Sequence, residues 1–292
     1  MKRTVLLLSG IMVMSCTSPQ KKLVYPETTK VDTIDVYFGT EVPDPYRWLE
    51  NDTSAATAAW VEAENKVTNA YLAQIPFREQ LLKRLTDLAN YEKIGTPFKK
   101  HGKYYFYKND GLQNQSVLYV QDSLDGEARV FLDPNQLSDD GTVALTSLSF
   151  SNDGKYTAYT ISRSGSDWSE IFVMDTATGK LLEDHINWAK FTGAAWQKDG
   201  FYYSAYDAPA KGKEFSNVNE NHKIYYHKIG TPQADDKLIY ENPAYPKRFY
   251  SAGTSKDERI LFIYESGAGR GNNLFIKDLE KSNAPLIQLT TD

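Results

Sequence analysis

Hydrophobic and polar positions follow two different rules on either side of Tyr91. In Ser54 to Gln74, residues Trp60, Ala63, Val67 and Tyr71 recur at i, i+3, i+7 and i+11, one stripe of an amphipathic helix with Asp52 and Thr53 as N-cap candidates. A second helix is predicted after Pro76, with Phe77, Leu81, Leu85 and Leu88 on one face. After Tyr91 the period drops to two and the pattern begins to repeat. Four polar turns, His101-Gly102, Asp153-Gly154, Asp199-Gly200 and Asp257-Glu258, each precede an aromatic strand beginning near Tyr104, Tyr156, Phe201 and Ile260.

A second strand follows each of these, at Val117 to Val120, Ile171 to Met174, Ile224 to His227 and Leu274 to Lys277, and its equivalent positions Tyr119, Phe172, Tyr225 and Phe275 lie 53, 53 and 50 residues apart. A third set falls at Arg129 to Leu132, Lys180 to Leu182, Lys237 to Tyr240 and Leu286 to Leu289. With one strand before each turn, as in Leu148 to Phe150 and Ala194 to Trp196, each unit holds four short strands in about 50 residues, the signature of a β-propeller blade. The fold class is therefore mainly β, with about four blades after a short α-helical N-terminal arm. A β-sandwich also spaces its strands every 8 to 12 residues, but does not repeat its turns at this longer period.

Composition agrees with a large β core: 292 residues are 41% hydrophobic, and tyrosine is the leading aromatic, 20 Tyr against 13 Phe and 5 Trp. The net charge of −5 comes without a cluster of Lys and Arg, so no nucleic-acid partner is expected. At the N-terminus Lys2-Arg3 precedes the apolar run Val5 to Met14, which suits export and is too short to span a bilayer. The run ends Val13-Met14-Ser15-Cys16, similar to the lipobox of bacterial lipoproteins. Cys16 is the single cysteine, which leaves no internal disulfide or multi-thiolate metal site and makes it the candidate lipidation residue; a chance thiol in an ordinary signal peptide is the alternative. The expected organisation is a lipoprotein signal peptide over 1–16, a tether and helical arm over 17–91, and blades over 92–292.

Several runs within the blades resemble the prolyl oligopeptidase family of serine peptidases. They are Gly111-Leu112-Gln113-Asn114-Gln115, Val117 to Leu124, Gly126 to Asn135, Gly165-Ser166-Asp167-Trp168 and Tyr225-Tyr226-His227; in the arm, Asp44-Pro45-Tyr46-Arg47-Trp48-Leu49-Glu50 does the same. The resemblance covers Tyr25 to about Asp292. It implies blades of a seven-bladed propeller, an arm belonging to an α/β-hydrolase domain expected downstream, and cleavage of short peptides after proline. The family's Ser, Asp and His follow the propeller, and no G-x-S-x-G elbow occurs in this sequence. His101, His185, His222 and His227 are accordingly read as structural or surface residues, Ser164 to Asp167 as a hairpin turn, and Gly267 to Gly271 as a hairpin tip rather than a phosphate loop. No metal or organic cofactor is expected.

The resemblance also implies two residues of a distal substrate subsite, Phe191 and Phe249, for which ordinary blade packing is the competing reading. A third position of that subsite, usually Cys, falls at Gly267. The insertion Ala208 to Asn221 matches a mobile loop near the domain interface, and by composition is a solvated loop. If blades stand without neighbours, Phe262, Phe275 and Ile276 at one end and Tyr105 and Tyr107 at the other are expected on the uncovered faces. The rival functional reading is a non-catalytic, membrane-tethered propeller that binds or scaffolds a partner.

Overall fold

The computed structural model describes residues 22–215, 217–267, 269 and 271–290, so Cys16 and the leader read over 1–16 lie outside the described residues. The chain divides into two compact units, one ending at Leu82 and the other starting at Lys83. In the first, β1 (Ile34–Tyr37) and β2 (Thr40–Pro43) form a hairpin whose turn, Phe38-Gly39, has both residues at positive φ. A single 3-10 turn over Arg47–Glu50 follows. Arg47 explains the run that contains it: its guanidinium bonds Asp44, Glu50 and, across the hairpin, Asp35, while the Trp48 indole donates to the Thr29 carbonyl at 2.8 Å.

Helix α1 (Ala55–Leu72) starts later than the sequence pattern suggests. Ser54, not Asp52 or Thr53, is its N-cap: its backbone is extended and its hydroxyl accepts from the Thr57 amide at 3.1 Å, satisfying a donor the helix cannot. Helix α2 (Arg78–Ala89) carries Leu81, Leu85 and Leu88 with Phe77 just before it, and all four side chains are exposed. The division between the units falls inside this helix.

The second unit contains four antiparallel blades in sequence order, the second and third joined into one eight-stranded sheet. β3 (Lys93–Ile94) and β4 (Phe98–Lys100) both pair with β5 (Lys103–Asn109), followed by β6 (Val117–Gln121) and β7 (Arg129–Leu132). The next blade is β8 (Val143–Phe150), β9 (Tyr156–Arg163), β10 (Trp168–Asp175) and β11 (Leu181–Lys190). Then come β12 (Ala195–Gln197), β13 (Gly200–Ala205), β14 (Lys223–Lys228) and β15 (Lys237–Tyr240), and last β16 (Phe249–Thr254), β17 (Ile260–Ser266), β18 (Asn272–Asp278) and β19 (Ile287–Thr290). Ala189 of β11 also pairs with Ala205 of β13, so hydrogen bonding passes from the second blade to the third.

The 53-residue repeat has a direct structural meaning. Tyr119, Phe172 and Tyr225 each sit opposite an aromatic residue of the preceding strand, giving the stacked pairs Phe106–Tyr119, Tyr159–Phe172 and Tyr203–Tyr225 with ring centroids 5.6, 5.6 and 5.7 Å apart. In the last blade Phe275 sits opposite Ile263. The inner turns repeat as well. Ser151 and Ser255 each donate to an Asp two residues on and accept an amide five residues on, so Glu258 holds the positive-φ place that Gly154 holds. Gly154 cannot be replaced so freely, because a Cβ there would stand 2.6 Å from the His101 ring.

Period two then decides which face meets which neighbour. Tyr105, Leu118 and Val120 pack on Phe131, Leu148 and Phe150 between the first two blades. Ile171, Val173 and Ile186 meet Phe201 and Tyr203 between the second and third, and Tyr202 and Ile224 meet Tyr250, Leu261 and Ile263 between the third and fourth. Two expected free-face residues are therefore misplaced: Tyr105 is 1% exposed and faces the second blade, and Phe275 joins the cluster facing the third. Successive side chains point to opposite sides of a strand, so Tyr107 lies on the Tyr105 side, beside Leu145 of the second blade, and the opposite sides carry Tyr119 at one end and Phe262, Tyr264 and Ile276 at the other; Phe106, stacked on Tyr119, is buried.

Candidate functional site

Phe191 and Phe249 stand at equivalent places in adjacent blades. Phe191 follows β11 in the link to the third blade, and Phe249 opens β16 after the link to the fourth. Phe191 takes a left-handed backbone, φ +52°, which swings its side chain off the line of β11. The two rings meet edge to face at 5.3 Å, are 49% and 40% exposed, and with Tyr250, Ser251 and Ser266 line an open cavity of about 320 Å³. Half-exposed phenyl rings in a cavity wall offer apolar area to a ligand. Gly267 contributes no side chain there; the Arg248 stem lies 3.2 Å from where its Cβ would be, and Ser266 forms that part of the wall.

His222 holds the pair in register. Its Nδ1 accepts from the Tyr250 amide at 2.9 Å, so Nε2 carries the proton and donates to the Lys190 carbonyl at 3.0 Å. One neutral imidazole thereby ties the residue before Phe191 to the residue after Phe249. The ring is wholly buried, within 4.5 Å of the Tyr206 ring centroid, and burial pulls its pKa down to about 4. In the sequence His222 differs from the other histidines only by its place at the end of the insertion, immediately before β14.

Glu265 braces the far side. It is 2% exposed and accepts from Arg248, from the Tyr240 hydroxyl at 3.2 Å and from Asn273 at 2.6 Å. Burial would raise its pKa, but the Asn273 and Arg248 bonds outweigh that and hold it below the usual carboxylate range. On the near side the Trp168 indole donates to the Glu214 carbonyl at 2.7 Å, attaching the insertion to the second blade. Trp168 and Trp188, edge to face at 5.4 Å, line a second cavity of about 310 Å³ with Phe215 of the insertion.

The remaining histidines lie elsewhere. His101 packs on Phe150, and His185 bonds Glu170 at 2.8 Å. His227, fully buried, has Asp236 at 2.7 Å from Nδ1 and Asp184 at 2.9 Å from Nε2. Carboxylates are thus present beside two histidines, which the sequence did not suggest, but among the described residues no Ser bonds any of the four. Among the described residues no cluster of His, Cys, Asp and Glu is arranged to hold a metal ion.

Residues 26–292 match the family model described as prolyl oligopeptidase, N-terminal beta-propeller domain. Over 271 residues, 92% of the chain, the sequence is 50% identical to a prolyl endopeptidase of Elizabethkingia miricola and 51% identical to one of Elizabethkingia meningoseptica. The chain spans 38% of the length of each. Among solved structures, prolyl oligopeptidase B from Galerina marginata, bound to a 35mer hydrolysis and macrocyclization substrate, superposes with a TM-score of 0.76 at 30% identity, covering 92% of this chain and 41% of that one.

Proposed function

This chain belongs to the prolyl oligopeptidase family, and from that premise we propose that it is the substrate-filtering propeller portion of a serine endopeptidase that cleaves short peptides after proline. The sequence holds no nucleophile elbow, and among the described residues no Ser bonds a His, so in this reading the bond-breaking belongs to another part of the enzyme. A Ser, His and Asp on an α/β-hydrolase domain perform the acyl transfer. The exposed apolar stripe of Phe77, Leu81, Leu85 and Leu88 gives that domain a surface to cover.

The observation that carries the reading is the Phe191–Phe249 pair, two half-exposed rings pinned by one histidine over an open cavity. A peptide whose proline is at the reacting centre lays a residue several positions upstream on these rings. In the enzyme that carries this propeller, Phe191→Ala and Phe249→Ala are expected to raise KM for a proline-containing hexapeptide roughly tenfold, the worth of burying a phenyl ring. The value of kcat should change little, because the rings bind ground state and transition state alike. Equal KM values in wild type and both variants would remove the subsite.

The protein is further proposed to be an exported lipoprotein anchored through Cys16, supported by the charged, apolar and small-residue pattern of Lys2 to Ser15. Cys16→Ala should move the protein from the membrane fraction to the soluble one; an unchanged distribution would dismiss the anchor.

A further inference from the structure

Lys190 is the last residue of β11 and the neighbour of Phe191. Its side chain is 7% exposed, and its ammonium lies 4.5 Å from the Trp168 ring centroid and 5.5 Å from that of Phe191. The nearest carboxylate oxygen, on the 70% exposed Asp167, is 3.9 Å away, beyond hydrogen-bond reach. The stem is therefore nearly covered, while the ammonium at its tip makes no hydrogen bond to an acceptor among the described residues and keeps its three N–H donors for what approaches it.

A second lysine at the same end of the blades shows what a satisfied one looks like. Lys223 reaches both oxygens of Asp207, at 2.6 and 2.7 Å. The Lys190 carbonyl is fixed by His222, so its stem starts from a rigid backbone. Aromatic faces stabilise the cation electrostatically but accept no conventional hydrogen bond, which leaves the donors for a ligand. Burial also pulls the Lys190 pKa below the usual lysine range, with Asp167 only partly opposing it. A partly desolvated ammonium gains more from a charged acceptor than one in open water.

We propose that Lys190 determines specificity at the Phe191–Phe249 subsite, its ammonium taking the carboxylate of an acidic side chain on the peptide residue that rests against Phe191. This rests on the post-proline peptidase reading given above. The test uses the enzyme that carries this propeller and a fluorogenic peptide series identical except for Glu, Gln or Lys at the upstream positions, each scanned in turn. At one position, kcat/KM for Glu is expected to exceed that for Gln roughly tenfold, the scale of a charge-assisted hydrogen bond, with Lys lower still. Lys190→Met should bring the Glu-to-Gln ratio to about one, and Asp167→Asn should increase it by removing the competing carboxylate. A purely structural Lys190 would leave the ratio untouched in both variants. Equal rates for Glu and Gln at every position in the wild type, with cleavage after proline intact, would overturn the Lys190 proposal and spare the peptidase reading. No cleavage of any peptide would sink both.

Discussion

Two histidines five positions apart, His222 and His227, are both fully buried, yet their partners push their protonation in opposite directions. His222 meets one backbone donor and one backbone acceptor, a pattern only the neutral ring can satisfy. His227 meets two carboxylates, to which both nitrogens of the imidazolium can donate, and that pairing favours the charged ring. Burial pushes the His227 pKa down, but the hydrogen bonds its ring makes to Asp236 and Asp184 outweigh it and the net shift is upward. The lesson is that burial sets the cost and the partners set the charge. His227 joins Asp184 of the second blade to Asp236 after β14, with the Tyr203 hydroxyl also donating to Asp236 at 2.8 Å and the Gly230 amide to Asp184 at 2.6 Å. One histidine holds blades together; the other holds the candidate subsite.

The largest way to break the comparison is His227→Ala, which leaves Asp184 and Asp236 facing each other without a cation. Removing one partner of a buried ion pair costs about 3–5 kcal/mol, so the urea midpoint of the propeller should fall sharply. A loss below about 1 kcal/mol would mean that the triad is not ionised.

A pH series separates the two residues by sign. His227 has a raised folded pKa, so its contribution is complete below its unfolded value of about 6.5 and fades as pH rises through the folded one. His222 has a folded pKa lowered to about 4, so its contribution is complete above about 6.5 and declines as pH falls toward 4, by roughly 3 kcal/mol in all. Urea midpoints from pH 4 to 9 should thus be lower at both ends. His227→Gln should flatten the alkaline limb and His222→Ala should reduce the acid one; a variant that leaves its own limb unchanged refutes the assignment.

The smallest expected effect on stability is His222→Ala at neutral pH, about 1–3 kcal/mol for an amide and a carbonyl left without partners. Its sharper readout is kinetic. Loosening Lys190 and Tyr250 should raise KM for a proline-containing peptide several-fold in the enzyme that carries this propeller, with kcat little affected. An unchanged KM would detach His222 from the subsite.

Much of the fold was legible because it is local. The turn at His101-Gly102, the strand starts near Tyr156 and Ile260, and the third strands Arg129–Leu132 and Lys237–Tyr240 all reappear, since turn chemistry and alternation act within a few residues. The length of β11 did not show: predicted at Lys180 to Leu182, it runs to Lys190 through irregular register against β10 and a bridge to the next blade. That extension is what delivers Phe191 to the cavity, with the Lys190 ammonium 5.5 Å from its ring. The two phenylalanines were named through the family resemblance alone, and nothing local to either residue announces that the rings meet.

What the sequence determined by itself was the unit and its repetition: a four-stranded hairpin series of about 50 residues, with an aromatic at Tyr119, Phe172 and Tyr225, because hydrogen bonding within a blade joins strands adjacent in the chain. Tertiary structure alone decided which face of each strand is covered, as Tyr105 and Phe275 show, since a shift of one residue reverses every side chain. It alone also decided protonation. Asp184 lies 43 positions before His227 and Lys190 lies 32 before His222, separations over which no local pattern acts. Only the packing of one blade on the next brings those charges and carbonyls within 3 Å, where their electrostatics outweigh the residue's own preference.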